Sequence, residues 1–547
     1  MNRIIAETIS DFSLDNYRPI LQRDLSLGTA PQPRIGNLVK VITGMRRSGK
    51  SYRMFQEMDE LIRQGVGPNL ICYFNFEDNR FAPVTAQTGD EVLDTFYELH
   101  PEALTDGAYL FFDELQEMQD WGAWLRRIVD TRKATIYVSG SSSKMLSTEI
   151  ATEFRGRAIE FELLPYSFRE IAQNNGINDI HSTTEHITLR KLFSAYLQRG
   201  GFPAAQGLPE ELAIPLLQSY AQQVVARDIV ERHNISRPRV AAAFTRRVLG
   251  TNGKQLSIRK TENILRSMGL STSRELLADM LDYLQEAYLI FQIRDFSFSL
   301  SDTTTSLPKI YAIDPGLAAA NTNASIRDEG QRLENAVYLE LRRRTVGSRR
   351  GTISSYHTKA HGYEIDFVVG DELEGHPYEL YQVTDSMDDE QTRARELRAL
   401  WEAMEESGLC NGTIIVGEGE HASYDSPDGA HTASARMGMD AAARLTATRA
   451  PPSPHLTRGL HRHEHRTHQQ HAQVASEQYR SDARRDRTGG PRAQRRGHGR
   501  RHANDERGSH MRQLAFEIRR TGGDRIREHG QQRGATRDQV GRAEQHR

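Results

Sequence analysis

The sequence predicts an α/β protein whose core is a parallel sheet wrapped by helices, and three observations predict it. Short runs at 38–43 (LVKVIT), 70–76 (LICYFNF), 108–113 (AYLFFD) and 134–139 (ATIYVS) are too uniformly apolar for strands with one wet face. Amphipathic stretches such as Met54 to Gln64 separate them, and this alternation marks helices layered on a buried sheet. The third observation is a glycine-bounded turn, Gly44-Met-Arg-Arg-Ser-Gly49-Lys50-Ser51, directly after the first run and before a helical pattern.

At 547 residues the chain exceeds one compact core, so several domains are expected. Residues 1–33 end in Pro31-Gln-Pro33 and read as an N-terminal arm; 34–165 hold the four apolar runs; 166–235 are helical by periodicity and read as a lid. Within 236–307, residues 256–290 read as helix, turn at Gly269 and second helix, followed by a β-like segment, a winged-helix-like order. That second helix carries Asp279, Asp282 and Glu286, whereas DNA demands Lys and Arg to displace counterions, so DNA reading and protein packing both stay open. From 308 to 420, β-type segments return at 309–313, 352–356, 363–369 and 378–383, with helical Glu334 to Arg344 between them.

The turn at 44–51 fits GxxxxGK[ST], the P-loop or Walker A pattern. Backbone N–H groups from Gly44 through Arg47, Ser48 and Gly49 would cradle phosphate oxygens, Lys50 would reach the terminal phosphates of ATP, and the Ser51 hydroxyl would ligate Mg²⁺. The run Tyr109-Leu-Phe-Phe-Asp113-Glu114 has the form of a Walker B strand, with Asp113 for the metal and Glu114 as general base; an acidic helix start is the blander reading of the same pair. Thr135 to Ser139 ends in Gly140-Ser141, where Ser141 either senses the terminal phosphate or closes a turn. Arg155 and Arg157 are candidate arginine fingers, Arg157 ahead of Arg155.

In order along residues 34–420, GMRRSGKS, YFNFED at 73–78, FFDELQEMQDWGAWLRRIVD at 111–130, VSGSSSKML at 138–146, RGR at 155–157, LLPYSFREI at 163–171 and RGGFPAA at 199–205 resemble the prokaryotic AAA-type ATPases that carry a C-terminal domain of unknown function. The resemblance implies a P-loop NTPase core, a helical lid, a winged-helix-like segment and a small α/β restriction-endonuclease-like domain. In that last fold a strand Asp and an ExK on the next strand hold Mg²⁺. Asp366 is present, but the ExK position reads Gln382-Val-Thr384, so the expectation is a degenerate nuclease, with Glu340 or Glu379 as substitute ligands if any metal binds.

Lys+Arg 71 nearly cancel Asp+Glu 73, yet 421–547 alone holds 25 Arg, no Lys and 14 acidic residues, a net +11 against −13 for the rest. Only nine of those 127 residues are Leu, Ile, Val or Phe, far below what a core needs, so the segment is expected to be a disordered Arg/His-rich tail. The missing lysine favours an out-of-frame end of the gene over a nucleic-acid or metal-binding tail. Cys72 and Cys410 make no disulfide framework, the start lacks a signal peptide, and no run approaches ~18 apolar residues. The expectation is a soluble, cytoplasmic enzyme without a membrane partner. It would bind and hydrolyse ATP with Mg²⁺ and couple that cycle to a protein or DNA partner, with oligomers allowed. A slowly hydrolysing nucleotide-gated module and a DNA-cleaving ATPase are the alternatives.

Overall fold

The computed structural model describes residues 2–141, 156–178, 182–296, 306–322, 329–345, 351–419 and 421–439. The first sheet takes up the four apolar runs as β1 (Val39–Thr43), β2 (Ile71–Asn75), β3 (Ala108–Asp113) and β4 (Ala134–Gly140), and adds an edge strand, β5 (Ala158–Glu162). Its order is β2-β3-β4-β1-β5, parallel throughout. Side-chain alternation feeds two apolar layers. Leu110 and Phe112 of β3 pack with Phe74, Trp124, Ile136 and Val138 on one face, while Tyr109 and Phe111 pack with Ile42, Phe55, Met58 and Tyr137 on the other. Helices Lys50–Arg63, Ala86–Leu99 and Trp121–Thr131 supply the covering residues. The arm belongs to this core: Ile5 and Ile9 of helix Arg3–Ser10 are buried, and Arg53 Nε and Lys40 Nζ bind arm carbonyls at Leu25 (2.9 Å) and Thr29 (3.0 Å).

Helices Phe168–Asn174, Thr183–Arg199 and Glu210–Gln223 follow, and the last runs into a π-helical turn, Val224–Glu231. Next come helices Pro238–Leu249, Ile258–Ser267 and Arg274–Glu286 with the small sheet β6 (Lys254–Gln255), β7 (Ile290–Ile293) and β8 (Lys309–Ala312) in order β6-β8-β7, three helices with a wing. The periodicity carries the third helix to Ile290, but it stops at Glu286. Tyr288 takes φ +58° and buries its ring, so that its hydroxyl donates to Thr43 Oγ1 at 2.9 Å, at the base of the P-loop.

Helix Glu329–Thr345 leads to a six-stranded sheet of β9 (Thr352–His357), β10 (Glu364–Asp371), β11 (His376–Ser386), β12 (Asn411–Glu418), β13 (Ala422–Asp425) and β14 (Thr432–Met437), ordered β13-β14-β12-β11-β10-β9. Helix Glu390–Ser407 makes the crossover between the parallel strands β11 and β12. The sequence puts the end of folded chain at residue 420, and the structure corrects this. β14 pairs parallel to β12, burying Ala433, Ala435 and Met437, all of them small or sulfur-bearing residues that a count of Leu, Ile, Val and Phe overlooks. The remainder of the Arg/His-rich segment, from residue 440, lies outside the described residues. No described helix is long and apolar enough to cross a membrane.

Candidate functional site

β1, β3 and β4 end side by side, and their carboxyl ends gather the candidate residues. The loop after β1 is built on glycines the backbone requires. Gly44 has φ +148°, and a Cβ there would lie 2.3 Å from the Leu163 carbonyl oxygen; Gly49, at φ +100°, turns the chain into helix Lys50–Arg63. Arg47 sits between them at φ +70° with its side chain exposed. Ser48 is buried, its hydroxyl has no partner, and its carbonyl accepts from Arg23 Nη1 at 3.0 Å.

Lys50 folds back over this loop, donating to the Gly44 carbonyl at 3.2 Å and lying 3.2 Å from Glu114 Oε1. Because β4 stands between β1 and β3, Asp113 reaches the loop only across the end of β4, where the small residues Ser139, Gly140 and Ser141 leave room. The Ser139 hydroxyl donates to Asp113, the Tyr73 hydroxyl donates to it at 2.9 Å, and Ser51 is close enough to favour its ionised form. Burial and the adjacent Glu114 charge push the Asp113 carboxyl above its usual range, against these hydrogen bonds and the Lys50 charge. Burial would raise Glu114 as well, but Lys50, the Gln116 amide and Arg46 hold it below the usual range, as an anion. Gln116 bridges Glu114 to Ser141 Oγ (3.2 Å), and its own Oε1 is buried without a partner. A hydroxyl beside a buried carboxylate is a hard-oxygen donor pair, which suits Mg²⁺.

Gly44, Arg47, Ser48, Gly49, Lys50, Ser51, Asp113, Glu114 and Ser141 thus come together. Arg157 does not. It precedes β5 at the amino end of the sheet, where its carbonyl accepts from Val39 N at 2.9 Å and its guanidinium pairs with Asp130, so it cannot reach the phosphate loop of its own chain. Arg155 lies outside the described residues. Sequence reasoning passed over Ser139 and Gln116, which flank named residues, and Tyr73, Arg46 and Asp228, whose pairings join distant segments.

A second polar cluster sits at the start of β10. Lys309 Nζ of β8 lies 2.7 Å from Glu334, 2.8 Å from Glu364 and 3.3 Å from Asp366. Burial, with the Glu334 charge beside it, pushes the Asp366 carboxyl up to about 8, and Val383 N donates to it at 2.8 Å. Gln382, in the ExK position, donates to Glu396 at 2.7 Å. Here too the sequence expectation is corrected. Carboxylate charge is abundant around Asp366 but is neutralised from within by Lys309, and the carboxylates that join are Glu334 and Glu364. Glu340 faces Arg343, and Glu379 sits opposite Val369, bonded by the Tyr381 hydroxyl. No group of three or more His, Cys, Asp or Glu side chains among the described residues is arranged to hold a metal ion.

Residues 36–172 match the family model of an AAA domain, and residues 190–328 that of a domain of unknown function. Over 402 residues the chain is 33% identical to an uncharacterized protein of Methanocaldococcus jannaschii, covering 73% of this chain and 84% of that one. The chain belongs to this family of AAA-type P-loop proteins. An uncharacterized protein of Haemophilus influenzae is 26% identical to this AAA-type protein over 351 residues, 64% of this chain and 84% of that one. Among solved structures, the Aeropyrum pernix ORC1 protein in complex with DNA is similar at 14% identity and TM-score 0.24, over 56% of this AAA-type protein and 89% of that chain.

Proposed function

We propose that this AAA-type protein binds ATP with Mg²⁺ on the loop Gly44–Ser51 and hydrolyses it. One observation carries the reading: Lys50 of the loop lies 3.2 Å from Glu114 at the end of β3, so the two motifs meet at one point. The loop N–H groups and the N-terminus of helix Lys50–Arg63 bind the phosphates, and Lys50 exchanges Glu114 for a terminal phosphate oxygen. Glu114, released, takes a proton from water as its oxygen adds to the γ-phosphorus; the bond to the bridging oxygen breaks and ADP and phosphate result. Ser51 and Asp113 would hold Mg²⁺, which would neutralise phosphate charge. Gln116 and Ser141, bonded to each other beside Glu114, are placed to orient the water.

A slowly hydrolysing, nucleotide-gated module is the second reading, favoured by the engagement of Glu114 by both Lys50 and Gln116. In either case the nucleotide cycle would alter how the lid, the winged-helix-like segment and a degenerate nuclease-like C-terminal domain engage a protein or DNA partner. Glu114→Gln separates binding from chemistry: MgATP affinity should persist while turnover falls ~10²-fold or more. Turnover equal to wild type would remove Glu114 from the chemistry.

A further inference from the structure

With Arg157 at the far end of the sheet, the described residues offer another guanidinium at the phosphate loop. Arg46 lies within the loop itself, two residues after Gly44. Carboxylates from three separate segments share it: Glu77 after β2 (2.7 Å), Glu117 after β3 (3.4 Å) and Asp228 of the π-helical turn Val224–Glu231 (3.3 Å). Glu77 and Glu117 are more than a third exposed, and pairs of that kind are readily given up. Asp228 is different. Its side chain is 2% exposed and lies between two guanidiniums, Arg46 at 3.3 Å from Oδ2 and Arg232 of the following turn at 3.4 Å from Oδ1, and the half-buried Arg46 is a large part of what keeps that carboxylate tolerable in the interior.

A terminal phosphate on the loop would place further negative charge next to Arg46, whose forked donors match phosphate oxygens. If Arg46 turns to it, Asp228 keeps only Arg232, at 3.4 Å and a third exposed, and a buried carboxylate stripped of one of its two cations is driven toward water. We propose that Arg46 is the in-cis counter-charge for the terminal phosphate, that Asp228 holds it in the nucleotide-free form, and that γ-phosphate binding thereby releases the segment Val224–Glu231. The inference rests on the reading of Gly44–Ser51 as an ATP site. It also specifies what the lid senses: the third phosphate, and not the first two.

Calorimetry with MgADP and with a non-hydrolysable MgATP analogue, on wild type, Arg46→Gln and Asp228→Asn, tests it together with hydrogen exchange over residues 224–231. Arg46→Gln should keep ADP affinity within about twofold and lose tenfold or more for the ATP analogue. Asp228→Asn should bind the analogue more tightly than wild type, and its 224–231 amides should exchange fast with or without nucleotide. In wild type the analogue, but not ADP, should accelerate that exchange. Wild type that binds neither nucleotide would overturn the ATP site itself. Wild type that binds both, with Arg46→Gln weakening ADP and the analogue equally or neither, would leave the ATP site standing and overturn the role of Arg46. Arg46→Lys guards against a folding defect: it keeps the charge without the fork, and it should fall between wild type and Arg46→Gln in preference for the analogue. A preference equal to that of Arg46→Gln in a well-folded Arg46→Lys would contradict a counter-charge role.

Discussion

At the scale of single residues, the loop between β1 and helix Lys50–Arg63 is the least forgiving part of the chain. A methyl group on Gly44 would meet the Leu163 carbonyl, which is backbone on the neighbouring strand exit and has no rotamer to yield. Gly44→Ala should therefore cost about 2 kcal/mol or more in urea unfolding and abolish nucleotide binding. Lys309 makes the opposite point about charge. Removing its ammonium in Lys309→Met leaves the mostly buried Glu334 and Asp366 facing one another beside the half-exposed Glu364, a loss of about 3 kcal/mol read by the same unfolding measurement. The named phosphate-loop and β3 residues were legible because their chemistry is local: one short motif, one strand end. Arg46 to Asp228, separated by 182 residues, was not, since nothing in the sequence around either one points to the other.

At the scale of elements, legibility followed burial. β1, β3 and β4 lie inside the sheet and are buried along their whole length, so they appear in the sequence as continuous apolar runs; β2, at one edge, is half-buried and reads the same way because Ile71, Cys72, Tyr73 and Phe74 are all apolar. β5 is an edge strand carrying Glu160 and Glu162, and it left no such trace. β13 and β14 escaped because Ala, Ser and Thr fill them. For the second sheet the family resemblance implies a nuclease-like fold around Asp366, but the ExK position holds Gln382 and Thr384, and an ammonium sits among the carboxylates. Purified protein with Mg²⁺ or Mn²⁺ should leave supercoiled plasmid intact on a gel. Cleavage that disappears in Asp366→Ala would reverse that reading.

At the scale of the whole molecule, the phosphate loop is tied to the other parts by buried contacts. Tyr288 reaches Thr43 at the loop's base, Arg342 pairs bidentately with Glu162 of β5 at 2.7 Å, and Arg23 joins the Ser48 carbonyl to Glu170 of the first lid helix. These contacts join the P-loop sheet to the segment holding Tyr288, to helix Glu329–Thr345 and to helix Phe168–Asn174. Truncation after Met439 should leave the melting temperature and nucleotide affinity nearly unchanged, whereas truncation after Gly419 strips β13 and β14 from β12 and should lower the melting temperature by several degrees. Resequencing the gene across the codons for residues 410–450 should reveal a displaced frame; an intact one would restore the basic segment as a native tail. Titrating MgATP into wild type and Lys50→Ala in a calorimeter shows whether the loop Gly44–Ser51 is a working ATP site. Saturable binding in wild type, weakened at least tenfold in Lys50→Ala, is the result expected from losing one charge-assisted phosphate contact of about 1.5–3 kcal/mol; equal affinity in the two proteins, or no binding in either, would contradict it.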